Sequence, residues 1–341
     1  MGITVSITQR TVAAANSVRV WFESPAGLRV KKFASYGISA IILLVLLRSI
    51  AGIGWQQVVA ILPWSFVFWA LFAGSYILQP ITEWIIYRRW WTLRWPDIAV
   101  FLKMRVMNEA LFSYSGHTYL LIWAAGRLGI SFDPDAPPKR LLGRGDTEGL
   151  DPRTSPFAAV KDMAITSGLA GNFTTLLMLI VALAMGGDTV LDDVVDPATL
   201  RLIIISFGAL ILLNAGILLF RKHVMSIPVK ENLFAFRWHL FRVLVAHILV
   251  VASWIVALPD VAIATWILLG ALRMVIGRLP LPNKELLFAA IAVSLTGAAS
   301  VDVAALMAAQ GALHLVFHGL ALVAASAIEA RHPEARPGGA L

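Results

Sequence analysis

Apolar residues run through this chain in long blocks rather than in alternation. Residues 36–54, 60–82, 164–185, 202–220, 243–259, 261–277 and 303–327 are each nearly unbroken hydrophobic runs. As helices, blocks of about twenty residues cross a hydrocarbon core roughly 30 Å thick. The alternating segments of about ten residues that would build a membrane barrel are absent from the sequence. A further run, 285–299, holds fifteen residues and rises only about 22 Å as a helix. It requires a tilted or broken arrangement with a partner. The predicted fold class is therefore all-α, a polytopic helical membrane protein of about eight transmembrane helices plus at least one re-entrant hairpin.

Basic residues between the runs set the orientation. Arg10, Arg19, Arg29, Lys31 and Lys32 precede the first run, whereas residues 52–59 carry no Lys or Arg. The N-terminus is thus expected in the cytoplasm. Arg88, Arg89, Arg94, Lys103 and Arg105 mark the next inner side, as do the patches Arg221–Arg242 and Arg273–Lys284. Asp188, Asp192, Asp193 and Asp196 occupy a loop without Lys or Arg, which reads as outer. The predicted layout is a cytoplasmic segment 1–34, a transmembrane domain 35–328 with a cytoplasmic loop 129–161, and a cytoplasmic tail 329–341. Past Arg331 the tail is expected to be disordered. The predicted location is a bacterial-type inner membrane, with both termini on the cytoplasmic side.

Composition sharpens this picture. With 59% hydrophobic and 14% charged residues and a mean hydropathy of +0.78, a soluble fold of 341 residues is excluded. The net charge of +8 sits in short loops beside the runs, so anionic lipids rather than nucleic acid are the expected partners. There is no cysteine, which rules out disulfides, thiolate metal sites and a cysteine nucleophile. No metal or cofactor is expected.

Two segments break the pattern. If residues 97–127 crossed the membrane, every later basic patch would lie on the wrong side, so the segment is predicted to enter and return as a hairpin, about 98–128. Its arms, 98–112 and 118–126, flank Ser113-Tyr114-Ser115-Gly116-His117. Glu109 and His117 lie in this apolar setting beside Asn108. Ionisable groups at that depth face a pathway or a partner, although 98–112 also reads as an interfacial amphipathic helix. The second segment, 278–299, opens Arg278-Leu279-Pro280-Leu281-Pro282-Asn283-Lys284-Glu285. Pro280 and Pro282 end one helix and prepare another near Asn283, whose N-terminus beside Lys284 suits an anion; an ordinary proline turn is the plainer reading. Paired interrupted segments, one in each half, point to a transporter's binding site. His314 and His318 share a face of the last run with Gln310. They read as a polar seam between helices, as does His247.

These two elements carry a family resemblance. The layout of about eight spans, a polar hairpin after the second span and a Leu-Pro-x-Pro element opening a short late helix resembles the transmembrane flippase-type region of lysylphosphatidylglycerol synthases, in a divergent stand-alone form. Asn108, then Ser113-Tyr114-Ser115-Gly116-His117, then Tyr119 to Arg127 correspond to the family's first element, with His117 where the family has Glu. Leu279-Pro280-Leu281-Pro282-Asn283-Lys284-Glu285 correspond to the second, without its glycine run. The resemblance implies lipid translocation, with Arg127 among the substrate-binding positions.

The expected function is a lipid flippase or lipid-linked substrate transporter, holding an anionic or glycosylated headgroup in a mid-membrane cavity. Asn108, Glu109, Ser115, Gly116 and His117 would form one wall; Arg273, Arg278, Pro280, Pro282, Asn283, Lys284 and Glu285 would form the other. Alternatives are a membrane-embedded transferase acting on a lipid-linked substrate, or a non-catalytic subunit of an envelope lipid or polysaccharide assembly. A homo-oligomer or an envelope-biosynthesis partner is compatible with all three.

Overall fold

A computed structural model describes residues 62–110, 114–128, 149–187, 205, 208, 211, 212, 214–278, 284–296 and 301–335. Every regular element among them is helical: α1 (Phe66–Arg88), a 3-10 turn (Trp95–Asp97), α2 (Ile98–Ala110), α3 (Ser115–Arg127), α4 (Pro156–Ala182), α5 (Arg221–Val224), α6 (Val229–Ala257), α7 (Ile263–Ile276), α8 (Lys284–Thr296) and α9 (Val301–Arg331). Among the described residues, three helical segments are long and apolar enough to cross a membrane: Pro156–Met185, Val229–Ala257 and Ala305–Arg331. The run 36–54 lies outside the described residues, as do most of 186–200 and Pro280, Pro282 and Asn283.

Prolines place several boundaries. Pro156 opens α4 in its first turn, where its missing N–H costs nothing and its fixed φ suits a helix. The helix therefore begins within the segment read as loop 129–161. Pro228 caps α6, so the basic, aromatic stretch up to Arg242 is the first half of one continuous helix. The junction is held by Asp162, whose Oδ2 accepts from the Ser226 and Ile227 amides at 2.8 Å each and from Asn232 Nδ2 at 3.3 Å. Lys161 Nζ lies 2.7 Å from its other oxygen. A buried carboxylate persists only with such compensation.

Pro80 acts differently, because it sits inside α1. It has no N–H for the carbonyl one turn earlier, and that acceptor, Tyr76 O, takes Arg105 Nη1 from α2 at 2.5 Å. The break in the helical ladder thereby becomes an anchor for a buried arginine.

α1 lies along α6, which packs on α4; α4 in turn meets α7, while α9 packs against α2 and α8. Two cores result. Tyr87, Trp90, Trp91, Phe101 and Trp123 join α1, α2 and α3 at one end. Phe68, Phe72, Trp254, Trp266, Phe288 and Met307 join α1, α6, α7, α8 and α9 at the other, with Trp254 and Phe288 stacked at 5.9 Å. Burial of several aromatic side chains supplies most of the packing energy at each end. At the first end, Glu231 Oε2 accepts from Arg89 Nε at 2.6 Å and Trp90 Nε1 at 2.8 Å. The hydrogen bond to Glu231 and the carboxylate's charge hold the Arg89 guanidinium above its ordinary pKa, outweighing a smaller opposing effect of burial.

Beyond Arg331 the chain makes a 3-10 turn, Pro333–Ala335, where the sequence suggests disorder. Ala335 is buried, and its carbonyl accepts from Trp123 Nε1 at 3.0 Å. A buried indole N–H needs an acceptor, and the start of the tail supplies it.

Candidate functional site

α2 and α3 have thirteen residues each and rise about 20 Å as helices. They fold back on each other, and the contact is close because of Gly116. A Cβ there would collide with the Met104 carbonyl, so only glycine allows this approach. Asn108 Oδ1 accepts from the Gly116 amide at 2.8 Å, and Ser115 Oγ donates to Met107 O at 2.7 Å. With Oδ1 so engaged, the amide nitrogen of Asn108 meets His117 Nδ1 at 3.1 Å. Tyr114, at the turn, has φ of 73°, a conformation uncommon for a bulky residue. Its ring lies 5.5 Å from that of His117.

The second interrupted element pairs with α7. Arg273 Nε and Nη2 donate to the two oxygens of Glu285 at 2.8 and 2.6 Å, a bidentate fork that sets register as well as energy. Lys284 Nζ donates to Gly277 O at 3.1 Å. Arg278 lies against Gly171 of α4, where a Cβ would displace its guanidinium, and its Nε has no hydrogen-bond partner among the described residues.

A cavity of about 470 Å³ lies between these elements. Asn108, Glu109 and His117 line it from the hairpin; Arg273, Arg278, Lys284 and Glu285 line it from the other side. Ser115 and Gly116 sit behind that surface, holding the hairpin closed. Arg127 is elsewhere: it is buried beside Asp97, Nη2 to Oδ1 at 3.4 Å, with its guanidinium 5.6 Å from the Trp123 ring.

Several lining residues escape sequence reasoning. Arg105, counted there as an inner-loop charge, is buried, with Nη2 3.1 Å from Glu109 Oε1 and its guanidinium 4.1 Å from the Tyr76 ring. Arg242, likewise assigned to a loop, donates to Glu83 Oε1 at 3.3 Å and Ser167 Oγ at 2.8 Å. A detectable signal was Arg105 four residues before Glu109, the spacing of a helical ion pair. Glu83 inside the α1 pattern was another, because a buried carboxylate demands a cation. His314 and His318 do share a polar seam with Gln310, and they also face the cavity. His247 lines it too, in space left by Gly270, where a Cβ would meet its ring.

The electrostatics are one-sided. Arg105, Arg242, Arg273, Arg278 and Lys284 are five cations on the wall, against the two carboxylates Glu109 and Glu285. Counting Glu83, which faces Arg242 from behind, five minus three leaves two positive charges with the histidines neutral. Such a chamber favours an anion, and the arginine forks match the oxygens of a phosphate or carboxylate. Among the described residues no group of acidic and histidine side chains is arranged to hold a metal ion. Comparison with protein families, with curated proteins and with solved structures yields no match.

Proposed function

We propose that this chain is an integral inner-membrane protein that binds a phosphate-bearing lipid headgroup in the cavity and carries it between leaflets. The observation supporting this reading is the excess of arginine and lysine in a chamber framed by two short, interrupted helical elements. In a helix bundle with apolar outer faces, such a cavity lets a charged headgroup leave water while the acyl chains remain in lipid. The substrate is an anionic or glycosylated lipid. Arg278 and Lys284 are its first contacts, because neither is paired with a carboxylate among the described residues. Arg273 and Arg105 are drawn in by exchange. About eight spans, cytoplasmic termini and membership of a divergent branch of the lysylphosphatidylglycerol synthase transmembrane family complete the reading.

The test is movement of labelled phosphatidylglycerol between leaflets of vesicles containing the purified chain. Arg278→Ala and Lys284→Ala should each slow movement roughly 10- to 100-fold, the worth of one charge-assisted hydrogen bond. Wild-type rates in both variants, with the protein folded, would sink the assignment.

A further inference from the structure

We infer that headgroup binding in this cavity is coupled to proton uptake, through two Arg–Glu–His sets that meet on α9. The inference rests on the reading above and adds a source of energy to it. Each interrupted element contributes one carboxylate. Glu109 has Oε1 3.1 Å from Arg105 Nη2 and Oε2 3.2 Å from His318 Nε2. Glu285 takes the fork of Arg273 and has Oε1 3.9 Å from His314 Nε2. The two imidazoles are a helical turn apart, with ring centroids 6.1 Å from each other.

Both rings are oriented from behind. His318 Nδ1 meets the Tyr76 hydroxyl at 2.7 Å, and His314 Nδ1 meets Gln310 Nε2 at 3.3 Å. Gln310 Oε1 in turn accepts from the Trp254 indole at 3.2 Å. These contacts leave each Nε2 turned to a carboxylate. The remaining ionisable groups on the cavity wall are Tyr114 from the turn before α3, His117 from α3, Arg242 and His247 from α6, Arg278 after α7, and Lys284 from α8. The cations there offset the charge of both carboxylates as long as Arg105 and Arg273 stay beside them.

A phosphate competes for those same guanidinium groups. When it takes Arg105 or Arg273, the displaced glutamate sits in a low-dielectric chamber beside new negative charge, which favours its protonated form. The step balances simply. One O–H bond forms on the carboxylate as one bond to hydrogen breaks on a hydronium ion, replenished by the buffer acid of the solution to which the cavity opens, and no electron moves. Release of the headgroup restores the Arg–Glu pair and expels the proton, with Nε2 of His318, whose Nδ1 can donate to the Tyr76 hydroxyl, as the acceptor beside Glu109. Lipid and proton therefore travel together.

Titration calorimetry of the purified full chain with dihexanoyl phosphatidylglycerol, in buffers of different ionisation enthalpy, counts the protons. The expected result is close to one proton taken up per lipid and, over roughly pH 6 to 8, affinity falling up to about tenfold per unit rise in pH. The Glu109→Gln, Glu285→Gln double variant should still bind, several-fold more tightly, with the proton count near zero. Lipid binding by wild type with no buffer-dependent heat and a flat pH profile would overturn the coupling and leave the headgroup reading standing. No binding would overturn both. Glycerol phosphate binding as tightly as the lipid, with the same proton count, would keep the coupling but overturn a lipid as the ligand.

Discussion

Arg105 donates from α2 to the main-chain carbonyl of Tyr76 in α1 at 2.5 Å, the acceptor that Pro80 leaves without its helical partner. An imino acid in one helix thus positions the guanidinium that holds Glu109 in the next. Arg105→Gln should cost about 1–3 kcal/mol by stranding a buried acceptor and a carboxylate. In a Pro80→Ala background the new N–H can serve Tyr76 O, and the cost should drop by about 1 kcal/mol. Equal costs in both backgrounds, measured by chemical denaturation in detergent, would show that the proline and the arginine are not coupled.

Gly171 and Gly116 permit close approaches of different kinds. At Gly171 an added methyl meets the mobile end of Arg278, while at Gly116 it meets main chain. Gly171→Ala is therefore expected to keep its thermal midpoint yet bind short-chain phosphatidylglycerol roughly tenfold more weakly, about 1.4 kcal/mol. Gly116→Ala should lower the midpoint, as overpacking by about 1–3 kcal/mol does. Thermal unfolding and calorimetry on both variants check the contrast.

Glu231 joins the end of α1 to the start of α6 by accepting from Arg89 and Trp90. The Arg89 side chain is 44% exposed, so solvent screens much of that pair, and the buried indole is the part that matters. Glu231→Ala should destabilise by about 1–2 kcal/mol. Arg89→Ala should cost less than half of that, and a larger loss for Arg89→Ala would reverse the ranking.

Ending the chain at Arg331 removes the acceptor of the Trp123 indole. Truncation should cost about 1–3 kcal/mol and change the tryptophan emission. Trp123→Phe in the truncated chain should recover part of the loss, since no donor is then stranded. Absence of any recovery would mean that the tail stabilises by packing alone.

The interrupted elements were visible in the sequence because glycine and proline act locally. Ser-Gly in one run and Pro-Leu-Pro before another mark where an apolar helix stops, whatever lies around it. Arg105 and Arg242 were misplaced for the complementary reason. Counting charges by loop treats every arginine as an interface marker, and partners such as the Tyr76 carbonyl or Glu83 lie far away along the chain. Arg127 shows the same limit, since a motif position said nothing of the Asp97 carboxylate it faces.

By itself the sequence determined the helical class and the apolar stretch within each long helix, because burial in a hydrocarbon-like setting acts on each segment separately. It also placed the breaks, through residues that cannot continue a helix. Only the tertiary structure decided that Glu109 and Glu285, from opposite halves, stand before two histidines of one helix. It alone turned a basic patch into the wall of a cavity. Those pairings depend on which helix faces meet, which is settled by the packing of Trp254 on Phe288 and of Gly116 on Met104, contacts between residues that no local pattern joins.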